Sequence, residues 1–262
     1  MDGYDGDGKI VSLTRFKKDP MKVDVIISAS HITEEQVKDR TVCVIDVFRA
    51  TSVMITALKN GARRIFPLLD IPEAFAGRER LGAQEKVILG GERGTVLIPG
   101  FDLDNSPLAY TPERVNGATI LFTTTNGTRA INGAKAAGAG AIFVGALINA
   151  TAVCRQMMDA GRDITLICSG REGHYTMEDA LCAGLMADII SGSPECFLTD
   201  LAWTLRDQYR RYRTDLREPL SQSQHYNFIM KRGLFEDIEY CLQVDTTDCV
   251  PVVKETGDVV LV

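Results

Sequence analysis

From Met21 onward, short runs rich in β-branched residues alternate with longer amphipathic segments, and this alternation limits the fold more than any other feature. Several short runs, such as TVCVIDV, are apolar on both faces, which is typical of strands covered on both sides of a sheet. The predicted strands are 23–28, 41–47, 64–69, 86–89, 119–123, 141–146 and 164–168. The predicted helices are about 33–39, 51–60, 72–82, 128–137, 148–160 and 177–191. This order predicts an α/β fold of three layers, α/β/α, with a mostly parallel sheet.

The two ends of the chain depart from the alternation. Residues 194–243 are predicted to be mainly helical, and VPVVKETGDVVLV at 250–262 predicts a closing β-hairpin about Gly257, which makes the sheet mixed. Residues 1–20 are polar and rich in Gly and Asp, so we expect a leader or an appended tail there. Residues 21–262 are predicted to form one α/β domain.

The chain also contains an internal echo. Two strand–loop–helix segments align at a constant offset, which places Arg49 on Asn126. The echo is compatible with an internal duplication whose lobes are 21–118 and 119–262, although α/β chains also produce such echoes by chance.

Charge and composition restrict the partners. The formal net charge of -6 and the scattered arginines argue against a nucleic-acid partner, and no apolar run is long enough to span a bilayer. Seven cysteines, mostly within apolar stretches, are typical of free thiols in a reducing compartment, so we expect a cytoplasmic protein. Any anionic ligand must therefore be held by a local site, and a homo-oligomer such as a dimer stays open.

Four loops that follow predicted strands carry most of the candidate chemistry. They are DVFRATS (46–52), GGERG (90–94), TTTNGT (123–128) and SGREGHYTMED (169–179). In open α/β sheets, ligands bind outside the carboxyl ends of the strands. We therefore expect these loops to converge on one site.

The loop TTTNGT has the composition of an anion-binding turn. Free backbone amides at a helix start, a glycine and several hydroxyl groups form a cradle for an anion. Helix capping is the alternative, but it explains one residue of this run rather than all of them. The predicted anion-binding residues are Thr124, Thr125, Asn126, Gly127 and Thr128.

In DVFRATS, Asp46 ends an apolar strand and Arg49 follows three residues later. A carboxylate there suits a metal or acid–base role, and an arginine suits a phosphate or sulfonate, while a structural Asp–Arg pair is the alternative. The spacing Cys43-x5-Arg49 matches a thiol-phosphatase loop, but its bulky residues cannot form that cradle of amides. Asp46 also resembles the aspartyl-phosphate nucleophile of haloacid-dehalogenase-type phosphatases, but Phe48 stands where those enzymes have a second aspartate, so this interpretation is disfavoured.

The remaining loops supply further candidates. Glu92 and Arg93 lie between glycines that can bend the backbone and aim a charge inward, with an exposed turn as the alternative. Asn105 and Ser106 follow in GFDLDNSP. The fourth loop supplies Arg171, Glu178 and Asp179, although Asp179 could instead cap the helix that follows. Among the histidines, His174 is a weak acid–base candidate, and nothing in the sequence singles out His31 or His225.

Taken in order, the motifs IDVFRATS, GGERG, IPGFDLDNSP, TTTNGT and REGHYTMEDALCAG closely resemble the 2-phosphosulfolactate phosphatase family over nearly the whole chain from Met21. The resemblance implies Mg²⁺-dependent hydrolysis of 2-phospho-3-sulfolactate to 3-sulfolactate and phosphate, a step of the kind used in coenzyme M biosynthesis.

The mechanistic hypothesis that follows gives each loop a role. The carboxylates expected around Mg²⁺, directly or through water, are Asp46, Glu92, Glu178 and Asp179. Arg49 is expected to neutralise the phosphoryl group, and Arg93 or Arg171 to hold the sulfonate or carboxylate. Attack by water and a phosphoenzyme on Asp46 or Ser52 both stay open.

Two other functions use the same loops. The first is a phosphatase of another phosphorylated hydroxy acid, which would differ only in the residues around the substrate tail. The second is a non-catalytic binder of small phosphorylated or sulfonated acids. The carboxylates argue against the binder, because four acidic groups would weaken the binding of an anion.

Overall fold

The computed structural model describes residues 20–262 and, in addition, the backbone of two short strands, β1 (Gly3–Tyr4) and β2 (Ile10–Val11), which pair antiparallel. The rest of the predicted leader at 1–19 lies outside the described residues. None of the helices in the described part of the chain is both long and apolar enough to cross a membrane.

The main sheet and its helices follow the alternation of the sequence. The strands are β3 (Met21–Ile26), β4 (Thr41–Ile45), β5 (Arg64–Pro67), β6 (Val87–Arg93), β7 (Val96–Leu97), β8 (Thr119–Thr123), β9 (Ala141–Gly145), β10 (Ile164–Cys168), β11 (Cys196–Leu198), β12 (Pro251–Val253) and β13 (Val259–Leu261). The helices are α1 (Glu34–Val37), α2 (Ala50–Lys59), α3 (Ile71–Leu81), α4 (Pro112–Val115), α5 (Gly127–Ala136), α6 (Ala150–Asp159), α7 (Met177–Ile190), α8 (Asp200–Tyr212), α9 (Arg217–Leu220), α10 (Gln224–Met230) and α11 (Phe235–Cys241). Short 3₁₀ turns lie at Ala29–His31, Pro107–Ala109 and Leu147–Asn149.

Within residues 20–262 the sheet has the strand order β11-β3-β10-β4-β9-β12-β13-β5-β8-β6-β7. The first five strands are parallel to one another, and β5, β8 and β6 form a second parallel group. The predicted hairpin, β12–β13, turns at Gly257 with φ +92° and joins the two groups through antiparallel pairs, Val252 with Phe143 and Val259 with Ile65. The sheet is therefore mixed and mostly parallel, as predicted.

Strand β4 shows why the fold has three layers. All five of its residues are buried. Cys43 and Ile45 point into one apolar core with α6, α7 and α8, whereas Val42 and Val44 point into a second core with α2 and α5. Because side chains alternate between the two faces of a strand, a strand that is apolar throughout requires a helical layer on each side.

The two segments of the internal echo occupy related positions. One segment is β4–α2–β5 and the other is β8–α5–β9, and β4 pairs with β9 while β5 pairs with β8. Arg49 and Asn126, which the alignment superposes, are the N-cap residues of α2 and α5. This arrangement supports the proposed duplication, which stays a prediction.

Candidate active site

The four predicted loops meet at a cavity of about 190 Å³, which helix α10 closes from one side. The cavity is lined by Asp46, Phe48, Arg49, Glu92, Gly94, Thr95, Asn105, Thr124, Thr125, Asn126, Arg171, Glu172, His225, Phe228 and Ile229. Polar and charged side chains predominate, so the cavity suits a small charged ligand better than an apolar one.

Asp46 lies directly after β4, at the base of the cavity, and is 7% exposed. Its Oδ1 accepts a hydrogen bond of 3.1 Å from the amide of Ala50, in the first turn of α2. The pKa of Asp46 is raised to about 6, chiefly by burial and to a smaller extent by the nearby Glu92 and Glu178, whereas the Ala50 amide and His225 act in the opposite direction. The carboxyl group is therefore held where its charge lacks solvation, which a bound cation would offset.

Helices α2 and α5 begin so close to each other that a glycine is required at the start of α5. A Cβ atom at Gly127 would lie 2.6 Å from the Cβ of Ala50 and 2.8 Å from Oδ2 of Asp46. Gly127 itself does not line the cavity, and its role is to let the turn approach the Asp46 carboxylate.

We expect Gly127→Ala to lower kcat/KM by about 100-fold and to destabilise the protein by about 1–3 kcal/mol, because the added methyl group forces the two helix starts apart. Gly133→Ala in the same helix is the control, since its Cβ would meet only the tip of Ile32, at 3.0 Å. Steady-state kinetics and urea unfolding of both variants test the prediction. Equal behaviour of the two variants would contradict it.

The turn TTTNGT combines capping with a set of free donors. Thr125 donates from both its amide and its hydroxyl to Oε1 of Glu92, at 3.0 Å each. The hydroxyl of Thr128 donates to the carbonyl of Thr124 at 3.1 Å and is fully buried, so this pair has the local capping role that was the alternative. In the described part of the chain, the amides of Asn126 and Gly127 have no acceptor.

Glu92 and Arg93 point in different directions. Glu92 is 6% exposed and lines the cavity, where its Oε2 accepts from the amide of Thr95 at 2.8 Å. Arg93 lies outside the cavity lining and donates to the carbonyl of Glu92 at 2.7 Å and to Oγ1 of Thr123 at 2.9 Å. Of the two arginines predicted to hold the substrate tail, Arg93 is thus engaged elsewhere.

Arg49 forms a buried ion pair with a residue far along the chain. Its Nη1 donates to Oδ2 of Asp237 in α11, and the two side chains are 2% and 5% exposed. Ser106 donates its hydroxyl to the other oxygen of Asp237 at 2.5 Å and does not line the cavity. Arg49 lines the cavity, so the pair holds its guanidinium group at the wall.

Two further candidates differ in their surroundings. Ser52 is fully buried outside the cavity lining, and its hydroxyl donates to the carbonyl of Val47 at 3.0 Å. This contact gives Ser52 a structural role in the first turn of α2 and does not present it as a nucleophile. Asn105 lines the cavity, and its buried Oδ1 has no hydrogen-bond donor within residues 20–262.

Arg171 is the arginine that the fourth loop contributes to the cavity. Its guanidinium carbon lies 4.0 Å from the ring centroid of Phe228, and its side chain is 30% exposed. Arg232 contacts the same ring at 4.8 Å and donates to the carbonyl of Gly94 at 3.2 Å. These contacts, together with an ion pair of 3.3 Å between Nη2 of Arg171 and Oε1 of Glu172, fix Arg171 at the mouth of the cavity. The other N–H groups of its guanidinium have no acceptor within residues 20–262 and are left for an anion.

Asp179 connects two of the loops and lies outside the cavity lining. Its Oδ1 accepts from the amide of Val47 at 2.8 Å, and its Oδ2 accepts from the amide of Gly170 at 3.1 Å and the hydroxyl of Thr176 at 2.9 Å. Burial raises the pKa of Asp179 well above its usual range, and Glu178 adds to this effect. Because Asp179 lies outside the cavity lining, these three contacts give it a structural role in holding the loops after β4 and β10.

Glu178, the neighbouring predicted metal ligand, pairs with a histidine that the sequence did not single out. Its Oε1 contacts Nδ1 of His225 in α10, and its buried Oε2 has no donor within residues 20–262. Glu178 is 1% exposed and does not line the cavity, whereas His225 does. His225, Phe228 and Asp237 come from helices with no recognisable motif.

The fit of a magnesium ion rests on the residues that line the cavity. Within residues 20–262, no group of three or more His, Cys, Asp or Glu residues could hold a metal ion, so the four predicted carboxylates do not form one cluster. Mg²⁺, however, is commonly held by one or two carboxylates, with waters and substrate phosphate completing its shell. Asp46, Glu92 and the unpaired Oδ1 of Asn105 supply oxygen donors of that kind.

Comparison with known proteins agrees with the resemblance seen in the motifs. The family model of 2-phosphosulpholactate phosphatase matches residues 26–256. A relative from Clostridium novyi (strain NT), named probable 2-phosphosulfolactate phosphatase, is 42% identical over 231 residues, which are 88% of this chain and 96% of the relative. Relatives of the same name from Caldicellulosiruptor saccharolyticus and Symbiobacterium thermophilum are 44% and 42% identical, over 86% and 87% of this chain and 95% and 96% of their own lengths.

These matches span the fold and all four loops, and they confirm the predicted class of enzyme, a phosphoric monoester hydrolase. The chain belongs to the 2-phosphosulfolactate phosphatase family.

Proposed function

We propose that this enzyme catalyses the Mg²⁺-dependent hydrolysis of 2-phospho-3-sulfolactate to 3-sulfolactate and phosphate, a step of the kind used in coenzyme M biosynthesis. The observation that supports it most directly is one cavity whose lining combines two buried carboxylates, Asp46 and Glu92, with the guanidinium groups of Arg49 and Arg171. The names of the relatives support the choice of substrate.

Asp46 and Glu92 would hold the magnesium ion, with Asn105 as a further oxygen donor. When bound, Mg²⁺ would neutralise charge on the phosphoryl oxygens and lower the barrier to attack. Glu178 and Asp179 are left out of this set, because both lie outside the cavity lining, where Glu178 holds His225 and Asp179 holds the two loops.

The phosphoryl group would be bound by the chain's own donors at the start of α5. The free amide of Asn126, which lines the cavity, lies where the dipole of the helix favours an anion, and the free amide of Gly127 follows it in the first turn. Arg49, fixed by Asp237, supplies a guanidinium group to the same cavity. Thr124 also lines the cavity and contributes a hydroxyl.

Arg171 would bind the sulfonate or the carboxylate of the substrate, since Arg93 is engaged with Thr123 outside the cavity. The surroundings of Arg171 match that role, because Phe228 supports one face of its guanidinium group and Glu172 engages only one of its nitrogen atoms, Nη2. A planar group with several donors suits an oxyanion of this kind.

We expect Arg171→Met to lower kcat/KM for phosphosulfolactate by about 10- to 100-fold, since a charge-assisted hydrogen bond contributes about 1.5–3 kcal/mol. If Arg171 binds the sulfonate, the effect should largely vanish with 2-phospholactate, which lacks it. Arg129→Met, on the exposed side of α5, is the control and should behave as wild type. Equal losses of kcat/KM with both substrates would mean that Arg171 binds the carboxylate or the phosphoryl group rather than the sulfonate.

The test of the function is phosphate release from 2-phospho-3-sulfolactate by metal-loaded protein, with and without EDTA, alongside a panel of phosphorylated hydroxy acids. We expect the highest kcat/KM for phosphosulfolactate, its loss in EDTA, and its return when Mg²⁺ is added. Faster turnover of another panel member would reassign the substrate. Tight binding of these acids without turnover would support the non-catalytic binder instead.

A further inference from the structure

We propose that His225 is a catalytic residue that donates a proton to the ester oxygen of the leaving alcohol, and that Glu178 is its positioning residue. The inference rests on the proposed phosphatase function and assigns the proton donor that this reaction needs. It depends on the contacts between α7 and α10, which bring together residues 47 positions apart in the chain.

Glu178 fixes one side of the imidazole ring. Its carboxylate can only accept a hydrogen bond, so Nδ1 of His225 carries the hydrogen in their contact. Glu178 is 1% exposed, and its other oxygen has no donor in the part of the chain that the structure describes. A buried carboxylate that contacts a ring nitrogen orients the ring in the way carboxylates orient catalytic histidines.

The other side of the imidazole ring faces the cavity. The His225 side chain is 14% exposed and lines the cavity with Asp46 and Arg49. Its ring lies 6.4 Å, centroid to centroid, from that of Phe48, which also lines the cavity. Among the described residues, Nε2 has no hydrogen-bond partner, so it is the ring atom left for a substrate.

The chemistry decides which proton this ring moves. In phosphate-ester hydrolysis through a loose transition state, the bond from phosphorus to the leaving oxygen is largely broken before the new bond forms, so charge collects on the leaving oxygen. An aliphatic alcohol leaves poorly as an alkoxide and gains most from a proton donor. Activation of the attacking water contributes less in such a transition state.

The proposed step is balanced without any further reactant. An oxygen–phosphorus bond forms from water, the phosphorus–alkoxide bond breaks, and its electron pair takes the proton from Nε2 of His225. The proton released by the attacking water restores the imidazolium ion. The products are the free alcohol and inorganic phosphate.

Leaving-group dependence tests the inference. We expect His225→Gln to lower kcat/KM by about 10²–10⁴-fold for an alkyl phosphate substrate but by less than about 10-fold for 4-nitrophenyl phosphate, whose phenolate leaves without a proton. Glu178→Gln should give the same selectivity with a smaller loss. His174→Gln is the control, because His174 lies outside the cavity lining and makes backbone contacts with Arg171.

Near-equal losses with the two leaving groups would overturn the role of His225, even if the proposed substrate is correct. Folding is checked by circular dichroism, and if His225→Gln does not fold, the Glu178→Gln variant carries the same comparison. Failure of the proposed substrate would appear differently, as wild-type turnover of other alkyl phosphates only, and the comparison would then use those. A wild-type protein that cleaves no phosphate monoester would overturn both proposals.

Discussion

We expect Asp46→Asn to lower kcat/KM for phosphate release by about 10³-fold or more and, at the same time, to stabilise the metal-free protein. The loss of activity follows from the proposed role of Asp46, because an amide holds Mg²⁺ far less well than a carboxylate and provides no negative charge. The gain in stability follows from burial, since Asp46 is 7% exposed and no cationic side chain of residues 20–262 forms a hydrogen bond with its carboxyl group.

The sign of the expected stability change follows from how the free energy of unfolding depends on pH. The folded protein raises the pKa of Asp46 from 3.8 to about 6, so it binds this proton more tightly than the unfolded chain does. Below a pH of about 4 both states are protonated and the group has no effect. As the pH rises from about 4 to about 6, the free energy of unfolding falls, by on the order of 3 kcal/mol at most. We expect this fall in the wild type and not in Asp46→Asn.

Urea unfolding at several pH values in EDTA measures the difference, and Asp207→Asn on the exposed side of α8 is the matched control, with an expected change below about 0.5 kcal/mol. Added Mg²⁺ should raise the melting temperature of the wild type and have little effect on Asp46→Asn. If Asp46→Asn kept full activity, Asp46 would have no role in catalysis. If Mg²⁺ raised the melting temperature of the variant as much as that of the wild type, Asp46 would not be a metal ligand.

The sequence predicted the strands and loops well because their signals are local. Runs such as TILFT are apolar at every position, and β8 occupies the predicted span, Thr119–Thr123. The short outer strands β7 and β11 have no such signal, since their residues are partly or fully exposed. The separation of the sheet into two parallel groups also escaped prediction, because it depends on which strands the hairpin at Gly257 pairs with.

Side-chain direction explains the outcome for adjacent site residues. Glu92 and Arg93 are neighbours in β6, so they point to opposite faces, and the structure aims Glu92 into the cavity. Glu178 and Asp179 are neighbours in the first turn of α7 and likewise diverge. The period of a strand thus indicates that only one of Glu92 and Arg93 can face the ligand, although it does not say which. In the second pair neither residue lines the cavity, and Glu178 contacts it only through His225.

The residues that the sequence missed are those without a local pattern. His225 and Asp237 lie in short helices of seven residues, and their roles come from contacts with Glu178 and Arg49 far away in the chain. A structural Asp–Arg pair was considered for Arg49, but with Asp46 as its partner. The partner is Asp237, and this difference changes what Arg49 contributes to stability.

We expect Arg49→Met to destabilise the protein by about 3–5 kcal/mol and to lower kcat/KM by at least about 100-fold. The substitution leaves the Asp237 side chain, 5% exposed, as a buried charge whose remaining donor within residues 20–262 is the hydroxyl of Ser106. Removing one partner of a buried ion pair therefore destabilises the protein strongly, whereas removing both charges destabilises it much less. Urea unfolding and phosphate release measure the two effects separately.

The double variant Arg49→Met/Asp237→Asn separates structure from catalysis. It should recover most of the lost stability, since neither charge is left without a partner, but it should not recover activity, because the cavity wall still lacks a guanidinium group. Arg217→Met is the matched control: it breaks an exposed pair with Glu239, whose side chains are 51% and 56% exposed, and should cost less than about 1 kcal/mol. Recovery of activity in the double variant would limit Arg49 to a structural role, and a loss of stability as small as that of Arg217→Met would mean that the buried pair does not form in solution.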